Sequence, residues 1–352
     1  MTRSTFTLNT GAEMPSIGLG TWQAPKNEVR VAVEAALRAG YRSIDAARVY
    51  GNEDEVGQAL KSVVDDGTLK REEVFITSKL WNTDHEPSRV EQGLRTSLTA
   101  LGVDYLDLYL VHWPLAFRGN DETLFPRTSA GEIDFDTATS LLDTWAAMIE
   151  LKRKGLVKAI GLCNVSPKLL DHVVSNAKST FEVPSSVQVE YHPLIAPLQE
   201  ELKVLCESKG IVITAFSPLG NNRSNLPKVI DLPQVKELAS KTGYTEAQIV
   251  INWCISRGIC CIPKSVSPHR IVANLEAQNI TLKPEELGVL DSLAENTPSL
   301  LDAGRFNIPI NYPAPNGPWP IDIFQHPKEA SATYHVLDNG TVQGPSSSAI
   351  KV

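Results

Sequence analysis

Along most of the chain, short apolar and β-branched runs alternate with longer amphipathic ones. A short apolar run bounded by turn residues reads as a buried strand, whereas apolar residues at i, i+3 and i+4 read as a helix. The pattern predicts strands at 17–19, 42–44, 74–78, 106–111, 158–162, 186–189, 212–215 and 259–262. It predicts helices over 28–39, 53–64, 88–101, 138–154, 167–176, 198–208, 245–257 and 268–277, with an extra one over 232–242. Asn52 with Glu55 and Thr245 with Gln248 have the spacing of N-terminal capping pairs. Gly40, Gly102, Gly155, Gly210 and Gly258 each follow a helical stretch, where a left-handed cap favours glycine.

Eight strand–helix alternations imply a parallel sheet, and eight can close into a (β/α)8 TIM barrel, the fold class expected here. Two segments break the rhythm. Residues 114–137 form a long polar stretch between the fourth strand and its helix, and 299–352 are proline-rich and then polar, with "GPSSSA" near the end. Loops of this length are functional or disordered in most proteins. The first is read as a substrate-site loop. The expected organisation is one barrel over 1–325 and a loosely attached surface tail over 326–352.

Composition adds limits. A hydrophobic content of 42% and a charged content of 21% describe an ordinary globular protein. A net charge of −8 argues against nucleic acid or an acidic membrane surface as partner, so an anionic ligand must meet a local basic cluster. The N-terminal stretch lacks a signal-peptide apolar core, and no apolar run approaches the roughly 18 residues of a spanning helix. The five cysteines (Cys163, Cys206, Cys254, Cys260 and Cys261) show no metal spacing and read as reduced thiols of a cytoplasmic protein with no metal site.

In a β/α barrel the chemistry lies at the C-terminal ends of the strands. There the chain places Asp45, with Tyr50 in the following loop, then Lys79, His112, Asn164, Gln188, Phe216 and Lys264. Each has an ordinary reading when taken alone: a turn residue, a solvated lysine, a core histidine, rim packing. Together they suit one task. A tyrosine, with an ordinary pKa of about 10, is a weak proton donor at neutral pH. A nearby lysine ammonium lowers that pKa, and an aspartate keeps the lysine charged. A histidine beside the tyrosine orients a carbonyl. The set amounts to a general acid for carbonyl reduction.

The motifs "GYRSIDAARVYGNE", "ITSKLWN", "YLVHWP", "GLCNVS", "VQVEYHP", "AFSPLG" and "IPKSVSPHRIVAN", in that order, resemble the aldo-keto reductase superfamily over about residues 6–324. The look is closest to fungal members acting on glycerol, glyceraldehyde, xylose or uronic acids. The resemblance implies a barrel closed at its base by an N-terminal hairpin, here 5–8 and 13–15. It also implies NADPH or NADP+ bound without a Rossmann domain. "GLGTW" has two glycines but no third, and no "GxxxxGK" loop occurs, which agrees.

By position, the resemblance implies a catalytic tetrad of Asp45, Tyr50, Lys79 and His112. Asn164 and Gln188 would hold the nicotinamide carboxamide and Phe216 would stack on the ring. Ser217 and Leu219 would contact the pyrophosphate. Lys264, Ser265 and Arg270 would hold the 2′-phosphate and Asn274 the adenine. Gly20, Thr21, Trp22 and Val266 complete the cofactor set. The substrate pocket would be lined by Trp22, Tyr50, Trp81, His112 and Trp113, with Phe117, Phe306, Asn307 and Trp319 from long loops.

Three positions depart from the family pattern: Cys163 for serine, Phe216 for tyrosine, and Ala273 where an acid is common. The expected reaction is reduction of small hydroxyaldehydes, sugars or uronic acids, reversible as NADP+-dependent alcohol or polyol oxidation, by a monomer or weak homodimer. The alternative is a non-catalytic NADPH-binding regulatory or structural protein of the same fold.

Overall fold

The computed structural model describes residues 4–119, 121–129, 131–221, 227–297, 321–324, 329 and 332–344. An antiparallel hairpin of β1 (Thr5–Thr7) and β2 (Glu13–Pro15) comes first. Its inward side chains, Phe6 and Met14, are buried in the main core. Eight strands then follow: β3 (Leu19–Gly20), β4 (Ser43–Asp45), β5 (Phe75–Leu80), β6 (Leu106–Val111), β7 (Val157–Cys163), β8 (Ser186–Glu190), β9 (Val212–Phe216) and β10 (Cys260–Cys261). Each pairs in parallel with the next in sequence order.

The sheet closes on itself. Gly18 N donates to Cys261 O at 2.8 Å, Cys261 N to Ser16 O at 2.9 Å and Gly20 N to Pro263 O at 3.2 Å, so the β3 segment meets the β10 segment. Glycine at position 20 makes this seam possible, because a Cβ there would lie 2.7 Å from the Ile262 carbonyl oxygen. The strands carry near-continuous apolar runs because both faces are covered, by the barrel interior and by helices.

Those helices are α1 (Val29–Ala39), α2 (Glu53–Asp65), α3 (Pro87–Leu101), α4 (Leu141–Arg153), α5 (Pro167–Ser175), α6 (Glu200–Ser208), α7 (Pro233–Thr242), α8 (Glu246–Ser256) and α9 (Pro268–Glu276). α10 (Pro284–Asp291) and α11 (Leu293–Asn296) lie beyond the alternation that the sequence pattern predicts. α4 opens at Leu141, not 138, because Ser140 and Asp143 form a reciprocal capping box. Thr245 and Gln248 cap α8 as expected. Asn52 and Glu55 do not cap α2. Asn52 Nδ2 donates to Thr21 O at 3.0 Å, and the Glu55 carboxylate accepts from Asn27 N and Arg30 N. Both side chains have found partners across the chain instead of in their own first turn.

Beyond the barrel, β11 (Ile321–Asp322), β12 (Tyr334–Val336) and β13 (Val342–Gln343) form a small sheet. Some of the described tail residues pack on the barrel's loop and on α4. Val342 is buried, Asn339 O accepts from Leu141 N at 3.0 Å, and Tyr334 Oη donates to Glu132 at 2.8 Å. The loop after β6 folds back on itself through antiparallel bridges Phe117↔Phe135 and Arg127↔Ile133. Loop and tail share an apolar cluster with Trp81 and Trp113.

Candidate active site

A cleft of about 1000 Å³ opens at the C-terminal ends of the strands. Twelve residues singled out from the sequence line it: Gly20, Trp22, Asp45, Tyr50, Trp81, His112, Trp113, Asn164, Gln188, Phe216, Ser217 and Lys264. Lys79 lies just beneath, fully buried on β5. Thr21 is buried behind Asp45, donating from Oγ1 to Asp45 O at 2.8 Å.

The floor is one polar cluster. Lys79 Nζ donates to Asp45 Oδ1 at 2.5 Å and to Ala46 O at 2.8 Å. Gln188 Nε2 donates to the other Asp45 oxygen at 2.7 Å. Lys79 Nζ also sits 5.0 Å from the centroid of the Tyr50 ring, whose edge meets His112 with centroids 5.7 Å apart. Burial alone would lower the lysine's pKa, but Asp45, with Tyr50 and Cys163, outweighs it and keeps the ammonium strongly charged.

The tyrosine behaves differently from the sequence reading. Burial raises its pKa above the ordinary phenol value, and the opposing pull of Lys79 does not overcome this. Tyr50 keeps one partly exposed face toward the cleft, yet it lies deep enough for desolvation to dominate. His112 is pushed well below the usual imidazole range by burial and then by the Lys79 charge, so it is neutral at pH 7. The Cys163 thiol is raised by burial and stays protonated.

Backbone strain marks two lining residues. Asn164 has φ 55° and Ser217 φ 49°, both in the left-handed region. Asn164 tolerates it and donates from Nδ2 to His112 O at 2.9 Å, which locks its amide against the cleft floor.

The remaining predicted cofactor residues surround this floor without lining the cleft. Leu219 and Val266 pack partly buried against the core. Ser265 is buried, and its hydroxyl accepts from Ser267 N at 3.2 Å. Arg270 and Asn274 both lie on α9, the first exposed and the second buried. Lys264 is depressed by burial, with Glu28 opposing and the Arg270 charge adding to the fall. Two cations that repel each other at a strand end and the next helix suit an anion.

Phe117 lies within the apolar cluster behind Trp81, not on the cleft surface. Phe306, Asn307 and Trp319 lie outside the described residues. Val49, Phe125 and Ile262 line the cleft and escaped the sequence reading. Phe125 packs edge-on against Trp81, 5.3 Å between centroids, and Trp81 Nε1 donates to the neighbouring Leu124 O at 2.6 Å. Its only sequence signal was membership of the long loop. Among the described residues, no group of acids, histidines and cysteines could hold a metal ion, and no helix is long and apolar enough to cross a membrane.

The sequence profile of the Aldo/keto reductase family matches residues 16–295. The chain is 45% identical over 302 residues to aldo-keto reductase family 1 member A1 of Mus musculus, an alignment spanning 84% of this chain and 91% of that protein. The Sus scrofa protein of the same name is 45% identical over 316 residues, 88% of this chain and 93% of its own. The solved structure of the aldose reductase from Schistosoma japonicum superposes with a TM-score of 0.76 at 36% identity, covering 82% of this chain and 92% of that one.

Proposed function

The chain belongs to the aldo/keto reductase family and is a nicotinamide-dependent oxidoreductase acting between carbonyl and alcohol groups, and on that premise we propose that it uses NADPH to reduce small aldehydes and ketones with Tyr50 as the proton donor. The observation that carries this reading is the buried Asp45–Lys79 ion pair beneath Tyr50, with neutral His112 at the tyrosine's edge.

Bound NADPH supplies the hydride. The protein's own groups do the rest. Asp45 and Gln188 hold Lys79 as a fixed cation under the phenol. Because burial keeps Tyr50 protonated, it gives up its proton only to an oxygen becoming an alkoxide, a far stronger base than the phenolate left behind. Lys79 then stabilises that phenolate. A ring N–H of neutral His112 orients the same oxygen. In the oxidative direction the roles reverse, with Tyr50 as base.

The residues suit the cofactor. The Asn164 and Gln188 amides face the cleft for a carboxamide, Phe216 offers a ring to stack on, and the mutually repelling Lys264 and Arg270 await a dianion. Ser265, Val266 and Asn274 would flank the adenine end, Gly20, Thr21 and Trp22 the nicotinamide end, and Ser217 with Leu219 the pyrophosphate.

The apolar outer wall of Trp22, Trp81 and Trp113 over a polar floor suits a hydroxyaldehyde, sugar or uronic acid. All five cysteines are free and buried, which supports a reducing, cytoplasmic setting. The polar floor comes from one chain, which supports a working monomer or weak homodimer.

Steady-state NADPH oxidation against glyceraldehyde, xylose, glucuronate, galacturonate and aromatic aldehydes tests the reaction. Tyr50→Phe should lower kcat by about 10²–10⁴-fold while NADPH still binds. Retained turnover in that variant would remove Tyr50 from its role. Tight NADPH binding with no turnover across the panel would favour the non-catalytic alternative. Lys264→Ala and Arg270→Ala should weaken NADPH far more than NADH, and an unchanged NADPH affinity would sink the 2′-phosphate assignment.

A further inference from the structure

Tyr50 does not sit on a strand. It ends a single 3₁₀ turn, Arg48–Tyr50, between β4 and α2. Backbone bonds within that turn are local: Tyr50 N donates to Ala47 O at 3.0 Å and Gly51 N to Arg48 O at 3.2 Å. They shape the turn but do not fix it against the barrel. Arg48 does reach out. Its Nη1 pairs with Asp84 Oδ2, on the 3₁₀ turn Asn82–Asp84 that follows β5 and Trp81. Asp84 is only 1% exposed, and a Cβ added at Gly93 on α3 would lie 3.0 Å from its own, so the carboxylate is wedged against that helix. Arg89 approaches its other oxygen at 3.7 Å and also meets Asp121 of the 114–137 loop at 2.6 Å.

A buried carboxylate is stable as an ion only where cationic partners meet it in good geometry, which favours the arrangement in which Arg48 and Arg89 face Asp84. We propose that Arg48 is a positioning residue for the reaction: its ion pair with the buried Asp84 carboxylate pins the turn that carries Tyr50, and so sets where the phenol points. This rests on Tyr50 being the proton donor. Arg48 touches neither substrate nor cofactor in this account. It acts through Val49, the one residue between it and Tyr50.

The test compares Arg48→Met, which keeps the side-chain length without the charge, with Arg48→Lys and Asp84→Asn. Misplacing a reacting group by about 1 Å can lower a rate by about 10²-fold. Arg48→Met should therefore lose about 10–100-fold in kcat. Its NADPH affinity should be unchanged, and the isotope effect on kcat with NADPH deuterated at the transferred hydrogen should rise as chemistry becomes limiting. Arg48→Lys should recover part of the loss. Asp84→Asn combined with Arg48→Met should lose no more than the worse single variant.

A folded Arg48→Met enzyme with parental kcat and isotope effect would overturn the proposal. If Arg48→Met does not fold, Asp84→Asn decides: a folded enzyme with reduced kcat and a raised isotope effect supports the pin, and parental values refute it. A failure of the Tyr50 assignment is read separately, because Tyr50→Phe would then retain turnover whatever Arg48 does.

Discussion

On the floor of the cleft, Asp45, Lys79, His112, Asn164 and Gln188 come from five neighbouring strands; hydrogen bonds of 2.5 and 2.7 Å join Lys79 and Gln188 to Asp45, and one of 2.9 Å joins Asn164 to the His112 carbonyl. On the outer wall, Trp81, Trp113 and Phe125 are held by apolar packing against a loop and a small tail sheet that come from distant parts of the chain. The floor fixes polar atoms at defined points, which proton transfer requires. The wall presents shape and apolar area, which can be changed without moving the floor. Strand ends are rigid because each is bonded on two sides, whereas loop walls are only as firm as what braces them.

The sharpest way to break this contrast is to unpair the floor. Lys79→Met leaves the Asp45 carboxylate buried, with Gln188 still on one oxygen but no cation on the other. Removing one partner of a buried ion pair costs about 3–5 kcal/mol. The expected outcome is a large fall in the urea midpoint together with loss of turnover. Asp45→Asn added to Lys79→Met should cost less than the sum of the two. Stability close to the parent in Lys79→Met would mean that the floor is not defined by this pair.

An equally buried lesion in the wall should behave differently. Val342→Asp puts a charge into the cluster of Trp81, Trp113, Phe117 and Ile321. The tail sheet can open locally, so the cost is capped by that opening and the barrel keeps its own stability. Amide exchange over 332–344 should quicken and KM for aldehydes should rise, while NADPH affinity holds. A matching loss of cofactor binding would show that wall and floor are one unit. A smaller change, Phe125→Ala, removes one wall surface without unfolding anything. It should raise KM by about tenfold for aldehydes with an apolar tail, equivalent to about 1.4 kcal/mol of lost contact. Glyceraldehyde should be scarcely affected.

The same contrast governs what could be read in advance. Floor residues were legible because a polar side chain directly after a buried apolar run is costly unless it is used, and Asp45, Lys79, His112, Asn164 and Gln188 all break such runs. The wall was not. Strands of two or three residues, such as Ile321–Asp322 and Val342–Gln343, have no measurable period, and a Gly- and Ser-rich context hides a buried valine. Phe125 lines the cleft only because the 114–137 loop doubles back, a long-range pairing with no local signal. Asn52 and Glu55 had the spacing of a cap, but competing partners across the chain took their side chains. Nor could spacing rank opposing effects on Tyr50. Proximity to Lys79 was inferable, while the stronger effect of burial depends on depth in the folded molecule.

The smallest expected effect lies just behind the wall, at His85. It is 1% exposed, its Nε2 has no hydrogen-bond partner among the described residues, and burial pushes its pKa from 6.5 down to about 3 despite an opposing pull from Asp136. The folded state therefore binds this proton less readily than the unfolded chain does. The stability from a neutral His85 is complete above about pH 6.5 and is lost as pH falls from there toward 3. The limiting slope for one such group is about 1.4 kcal/mol per pH unit. His112 is shifted in the same direction, so the parent should lose stability more steeply than one histidine alone accounts for. His85→Asn should flatten the decline between about pH 6 and about pH 4, measured as urea midpoints, while leaving kcat at neutral pH near the parental value. If the variant declines as steeply as the parent, the acid sensitivity arises on the floor at His112, and the wall contributes shape alone.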